Sequence, residues 1–371
     1  MAGRTNISFA DLAGWTSHDH EAAFAAFWHS ARAIVTRPPT MRAGSAASED
    51  LVAIARLALE CEGMGRSEAR AFFEDHFTPV ELTGPELLTG YYEPVFEGRR
   101  SANAAFSVPL HKRPSDLIAI SADEASTSGF TPETSFARKT PDGLQLHLSR
   151  KDIMAGGLDD EGLELVWLKS AIDAYIIHIQ GSARIILEDG SQLRVGFDGK
   201  SGHPYRSIGK ILIEKGVFTP DSISMDTLME HVRSSGADGL SLLAENPSYI
   251  FFKEMPPHED EDRDMGPIAA AGNALIPMRS IAVDRHVHTF GLPFWLESTI
   301  PTDSEPIPFH QLVFAHDTGS AIKGAARGDL FTGSGPEAGR LAGRLNAHAR
   351  FVALMPDPSA LRPLTDGGEN G

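Results

Sequence analysis

The chain has 371 residues, enough to bury a large core and to divide into two domains. Its 42% hydrophobic and 22% charged content is ordinary for a globular protein, and its formal net charge of −17 argues against nonspecific nucleic-acid binding or docking on anionic lipid. The single cysteine, Cys61, excludes an internal disulfide and any multi-cysteine metal site. No apolar run reaches the ~20 residues that span a bilayer. The opening residues, MAGRTNISFADLAGW, contain neither an apolar signal core nor a lipobox-type cysteine, so the chain as given carries no export signal.

Residues 1–80 read as helical. Phe24, Phe27, Trp28, Ala31, Ile34 and Val35 recur at helical spacing until Pro38-Pro39 stops them. A second helix fits Ser48–Cys61, with Leu51, Ile54, Leu57 and Ala58 on one side, and a third fits Ser67–Phe77; the aromatic stripes of the first and third are core faces rather than ligand sites. After Pro79 the pattern changes to short strands. Leu87–Pro94 (LLTGYYEP) has strand propensity closed by a proline, and its paired tyrosines beside Glu93 could stack on and hydrogen-bond a sugar ring. Neighbouring strand residues face opposite ways, so one core ring and one surface ring is the plainer alternative. Residues 120–143, rich in Ser, Thr, Glu and Pro, read as a long surface excursion.

Ala174–Gln180 reads as a strand, with His178 a satisfied core or rim histidine. Arg184–Glu188 and Gln192–Phe197 form a hairpin around Asp189-Gly190. Gln180-Gly181-Ser182 lies before it, where a polar side chain could enter a groove. Helical patterns follow at Tyr205–Val217 and from Pro220 to Leu243, then a strand at Tyr249–Phe252. His258–Asp264 is an acidic run of the kind that forms a solvated loop. Ser280–Val283, Pro293–Glu297 and Phe351–Leu354 read as strands, and the tail beyond Pro356 as loose. His286-x-His288 has the spacing of a metal pair, but no carboxylate pattern accompanies it, so no metal is expected.

The richest stretch is Phe314–Gly343, FAHDTGSAIKGAARGDLFTGSGPEAGRLAG. Asp317 ends an apolar strand, Asp329 follows twelve residues later, and glycines surround both. Two acids on tight turns could transfer protons, although solvated or turn-capping aspartates have the same appearance. Asp317-Thr318-Gly319-Ser320 matches the aspartic-protease signature, but that chemistry needs a second copy or a symmetric dimer, and this chain has one copy. Lys323 is followed by Gly324-Ala325, which breaks the phosphate-loop pattern. The layout is α+β, mainly β with peripheral helices, and many short strands favour closed or half-closed barrels over a doubly wound sheet.

Taken together, LLTGYYEP (87–94), VPLHKRP (108–114), DAYIIHIQGSA (173–183), GHPYRSIG (202–209), ENPSYIFF (245–252), GPIAAAGNALIPMRSIAVD (266–284) and the aspartate stretch resemble the membrane-bound lytic murein transglycosylase A family. The last part resembles the "3D" domain, whose three aspartates fall on Asp284, Asp317 and Asp329. The resemblance implies a double-psi β-barrel domain from residues 1–114 and 247–371, with the N-terminal helices outside. A smaller β-barrel domain is inserted at 115–246, and a groove lies between the two. It implies cleavage of the β-1,4 bond between N-acetylmuramic acid and N-acetylglucosamine of peptidoglycan, giving 1,6-anhydromuramoyl ends. Ordinary glycosidases need two carboxylates, whereas here the muramic 6-hydroxyl is the nucleophile and one carboxyl can first donate and then accept a proton. Asp329 takes that role and Asp317 supports it. Tyr91, Tyr92, Gln180, Ser182 and Lys323 are groove candidates, and Asp284 is structural, closing a barrel turn. No cofactor is implied. The implied partners are peptidoglycan strands and cell-wall synthesis or remodelling proteins, the chain is expected to be a monomer, and the implied location is the periplasm or outer membrane. A non-catalytic polysaccharide-binding barrel is the alternative. Two departures stand out: Gly319-Ser320 replaces the family's usual Gly-Gly, and Ala347-His348-Ala349 lacks its usual glycine.

Overall fold

The computed structural model describes residues 4–37, 44–61, 63–220, 222–256 and 265–361. The acidic run 258–264 and the tail after 361 lie outside the described residues. Two compact units divide the chain: Met1–Tyr92 with Arg263–Gly333 and Arg344–Gly371, and Glu93–Asp262 with Ser334–Gly343. These bounds differ from the expected divisions at 114/115 and 246/247, because Val95–Arg99, Val108–His111 and Ile250–Glu254 all join one six-stranded sheet of the second unit.

In the first unit the helices His20–Thr36, Glu49–Glu60 and Arg66–His76 form where apolar periodicity places them. Asp19 and Ser48 cap the first two by accepting from the N–H groups of Ala22 and Leu51. Their apolar faces bury Phe24, Phe27, Phe72, Phe73 and Phe77, and Phe27 stacks on Phe314 with ring centroids 5.8 Å apart. That contact seats the helices on a nine-stranded sheet. Among the described residues its strands run in the order Arg4–Asn6, Phe77–Leu82, Arg350–Pro356, Pro293–Ile300, Ile307–Asp317, Ser280–Ala282, Arg327–Ser334, Leu87–Glu93 and Asn346–His348. The short central strand Ser280–Ala282 is parallel to Ile307–Asp317 and antiparallel to Arg327–Ser334. Behind it His316 is fully buried between the hydroxyls of Ser30 and Ser280, 2.7 Å from each.

In the second unit the six-stranded sheet runs Ile250–Glu254, Gln192–Lys200, Ser182–Ile186, Val95–Arg99, Glu164–Leu168 and Val108–His111, and an isolated bridge between Lys112 and Phe252 links its two ends. The expected hairpin is present, with Ser182–Ile186 paired to Gln192–Lys200. Residues 174–180 are not a strand. They belong to the helix Ala171–Gln180, capped by Ser170 and ended by Gly181 in the left-handed conformation at φ 78°. The apolar run misleads because the helix is buried on two sides. Ala174 and Ile177 face the sheet core, while Ile172 and Tyr175 pack against Ile208, Leu212 and Leu228. The single helical pattern after Pro220 is two helices, Met225–Ser234 and Gly236–Ala244. Gly239 lies so close to the Val232 carbonyl that a Cβ there would sit 1.9 Å from its oxygen. The stretch 120–143 lies largely at the surface, as expected, but it is not structureless. It holds the helix Ala122–Thr127 and, with Leu117–Ala119 and Gly143–Gln145, a three-stranded sheet around Ile120, Ala125 and Ala137.

Two buried charged groups of this unit are well compensated. Glu93, wholly buried, accepts from Arg194 at 2.7 and 3.2 Å, Arg184 at 2.9 Å and Ser334 at 2.7 Å. Arg150, 3% exposed, donates to the carbonyls of Asn246 and Ser248 and to Nδ1 of His178, and lies against the rings of Tyr175 and Tyr249. No helix among the described residues is long and apolar enough to cross a membrane.

Two outcomes follow from this burial. Truncating Glu93 strands two poorly exposed guanidinium groups, so Glu93→Ala is expected to lose about 3–5 kcal/mol of stability, read from chemical denaturation. Three histidines of the first unit are held neutral: burial, then His29, takes His316 to about 3. Burial, then Arg279, takes His18 to about 3. Burial takes His20 to about 4 against the opposing His18 carbonyl. Unfolded histidine titrates near 6.5, so between about pH 6.5 and 4 the unfolded chain binds more protons, and stability is full above that window and falls through it. The melting temperature is expected to drop from pH 7.5 to 4.5, and a flat profile would mean that these rings are solvated.

Candidate active site

Ala282 has Asp317 opposite it on one side and Asp329 opposite it on the other. The first pairing depends on a register shift: Ile281 pairs with Ala315, and the next residue pairs with Asp317, skipping His316. His316 is thereby buried in the core, and the aspartate is brought level with Asp329 two strands away. The backbones of the two acids are then about 10 Å apart, two interstrand spacings.

The next strand, Leu87–Glu93, supplies a hydroxyl to each acid. Thr89 and Tyr91 are two residues apart and share a face. The Thr89 hydroxyl bonds Oδ1 of Asp329, and the Tyr91 hydroxyl donates to Oδ2 of Asp317 at 3.1 Å. Oδ1 of Asp317 also accepts from the backbone N–H of Thr318 at 2.8 Å and of Ala270 at 3.2 Å. Tyr91 packs on Phe331, 5.4 Å between centroids, in a small core with Ala269 and Leu275.

The two acids differ in environment. Burial pushes the Asp329 carboxyl above its usual range and the charge of Asp317 adds to this, while the Thr89 hydrogen bond and the Arg327 guanidinium oppose it. Burial, and then Asp317 and Asp329, hold the Tyr91 phenol well above 10, so it stays protonated and donates.

The other expected residues are placed as follows. Tyr92 faces the opposite side of its strand from Tyr91 and is half-buried. Glu93 is held by two arginines and a serine, as described, and is no sugar ligand. Asp284, 7% exposed, accepts from the N–H groups of Gly324 at 2.9 Å and His286 at 3.1 Å. Burial opposes its ionisation, but these two bonds outweigh it and hold its pKa below the usual value. With the Thr318 hydroxyl donating to the Val283 carbonyl at 2.8 Å, Asp284 fixes the loop between the two acids. Lys323 is exposed on that loop, close enough to favour the charged form of Asp284. Gln180 and Ser182 belong to the second unit, at the end of a helix and the start of a strand, with Gly181 turning the chain between them. His288 bonds the Ala325 carbonyl at 2.8 Å.

Sequence reasoning passed over Thr89, Arg327 and the Ala270 N–H. Alternation offered a signal for the first two: Thr89 lies two residues before Tyr91, and Arg327 two residues before Asp329, each on a strand and so on a shared face.

Comparison with known proteins gives the family. Residues 87–253 match the MltA specific insert domain and residues 279–355 the 3D domain. Membrane-bound lytic murein transglycosylase A of Escherichia coli K12 is 32% identical over 285 residues, 75% of this chain and 67% of that protein. The protein of the same name from Vibrio cholerae is 31% identical over 277 residues, 73% of this chain and 66% of that one. The crystal structure of a membrane-bound lytic murein transglycosylase from Agrobacterium tumefaciens superposes with a TM-score of 0.84 at 36% identity, covering 95% of this chain and 98% of that one. Escherichia coli MltA with bound chitohexaose superposes at 0.68 and 25% identity, covering 96% and 95%. With both domains matched in order and relatives this similar across most of its length, the chain belongs to the membrane-bound lytic murein transglycosylase A family of enzymes.

Proposed function

We propose that this protein is a peptidoglycan lytic transglycosylase in which Asp329 alone serves as acid and base. The observation that carries this reading is the asymmetry of the acid pair. One carboxyl is pushed towards its protonated form by burial, and the other is held by three donors in hydrogen-bonding position. Asp329 protonates the glycosidic oxygen as the C1–O bond of N-acetylmuramic acid breaks. The muramic 6-hydroxyl then attacks C1, and its proton passes to the Asp329 carboxylate. Atoms balance without water, and the product is a 1,6-anhydromuramoyl end. Asp317, oriented by Tyr91, stabilises positive charge developing at C1 and raises the pKa of Asp329.

On this reading Tyr91, Tyr92, Gln180, Ser182 and Lys323 contact the glycan, and Asp284 keeps the intervening loop in place. The nine-stranded sheet is read as the double-psi barrel and the six-stranded sheet as the smaller barrel, whose two ends the Lys112–Phe252 bridge brings together. The name membrane-bound, carried by the relatives, supports a periplasmic or outer-membrane-associated location.

The test is digestion of purified murein sacculi, with mass analysis of the released muropeptides. Products lighter by one water than their hydrated counterparts are expected. Asp329→Asn is expected to lower the rate at least about 100-fold, the scale of a lost general acid. Hydrated reducing ends would identify a hydrolase, and retention on sacculi without release would identify a binding module. Asp317→Asn is expected to keep some activity. Because the Asp317 charge raises the Asp329 pKa, its removal is expected to move the alkaline limb of the rate profile to lower pH. Near-normal turnover by Asp329→Asn alongside an inactive Asp317→Asn would reverse the two roles.

A further inference from the structure

The Thr89 hydroxyl sits between a guanidinium and a carboxyl. Nη2 of Arg327 lies 2.7 Å from Thr89 Oγ1, and Oγ1 bonds Oδ1 of Asp329. A guanidinium has donors only, so Oγ1 must accept from Arg327. The hydroxyl has one hydrogen, and it is therefore directed to Oδ1 of Asp329. An oxygen already accepting that hydrogen bond is a poor seat for the acidic proton, which is left to Oδ2. The guanidinium is itself fixed, with Nη1 donating to the Gly328 carbonyl and lying 3.5 Å from the Leu87 carbonyl. Thr89 is fixed by the strand pairing that sets it opposite Asn346.

We propose that Arg327 and Thr89 are positioning residues: Arg327 locks the Thr89 hydroxyl as a donor to Oδ1, and this assigns Oδ2 of Asp329 as the oxygen that delivers and recovers the proton. The inference rests on Asp329 being the acid of the proposed reaction. The bond also strengthens once Asp329 is ionised, because hydrogen bonds to charged acceptors are the stronger ones. The pair thus favours the carboxylate that must act as base in the second half of the reaction. The charged or titratable groups facing Asp329 are Tyr91 from the neighbouring strand, Asp317 from two strands away and Arg327 from its own strand, and the intervening Ser280–Ala282 brings none.

The test separates this inference from the activity. Protein labelled with ¹³C at aspartate carboxyls is titrated by NMR, with Asp329 assigned by loss of its signal in Asp329→Asn. Thr89→Val and Arg327→Met are each expected to move the Asp329 midpoint to higher pH, and Thr89→Ser, which keeps the hydroxyl, to restore it. On sacculi Thr89→Val is expected to lower kcat about tenfold, the scale of one hydrogen bond to a charged group, with KM little changed. Arg327→Met added to Thr89→Val is expected to lower kcat by clearly less than the product of the two single effects, since Arg327 acts partly through the hydroxyl and partly by its own charge. An unmoved midpoint in both folded single variants, or full additivity in the double variant, would overturn the proposal. A moved midpoint in a protein that releases no anhydro product would leave the relay standing and remove the catalytic reading instead.

Discussion

Two carboxyl groups facing one residue of a half-buried sheet repel each other, and taking either from water disfavours its charge. This conflict at Ala282 shapes the surrounding structure. The sheet cannot relieve it by separating the acids, because the pairing of Ser280–Ala282 with both neighbouring strands fixes their level. Relief comes from donors instead. Asp317 receives one hydroxyl and two backbone N–H groups, whereas Asp329 receives one hydroxyl and a nearby guanidinium. Burial pushes the Asp329 carboxyl towards its protonated form, and the proposed reaction draws on that.

Holding that arrangement needs a rigid frame, and the frame extends well beyond the site. The register shift that presents Asp317 requires His316 to be accommodated in the core, which Ser30 of an N-terminal helix and Ser280 of the central strand achieve together. The first 80 residues therefore do more than cover the sheet. They supply one of the two hydroxyls that make the buried imidazole tolerable, and Phe27 supports Phe314 two residues earlier on the same strand. Asp284 then fixes the loop that joins the two acid-bearing strands by accepting from Gly324 and His286. The three aspartates are one structural device: one shapes the loop, and two face each other across Ala282.

Much of this was legible in the sequence where a local signal and the tertiary environment agree. The aromatic stripes of the N-terminal helices, the Asp189-Gly190 hairpin and the short strands near 250, 280, 295, 312 and 352 are such places. Legibility failed where burial is two-sided. Ala171–Gln180 packs against a sheet and against helices at once, so its apolar run lacks the period that would distinguish helix from strand. At 120–143 the surface position was legible but the helix and strands were not, because the small core of Ile120, Ala125 and Ala137 is too sparse to show against a polar background. At the site, the acids were visible because glycine-rich aspartate loops are uncommon. Thr89 and Arg327 were not, because threonine and arginine are unremarkable until strand pairing sets one against the other. The role of Glu93 was not legible for the same reason. Arg184 and Arg194, which bond both of its oxygens, are each far away in sequence.

A carboxyl that must serve in both halves of one reaction faces opposite demands. As an acid it must hold its proton until the glycosidic oxygen takes it, which burial and the Asp317 charge favour. As a base it must leave that proton behind and then recover another from a hydroxyl, which a pKa raised without limit would prevent, because the carboxylate would be too unstable to form. The Thr89 hydroxyl and the Arg327 guanidinium pull in the other direction. In an ordinary glycosidase two carboxyl groups can be tuned separately for the two tasks. Where one group does both, the tuning has to be a balance held at a single site, and a half-buried acid with a second carboxyl on one side and an arginine-locked hydroxyl on the other is a physical means of holding it.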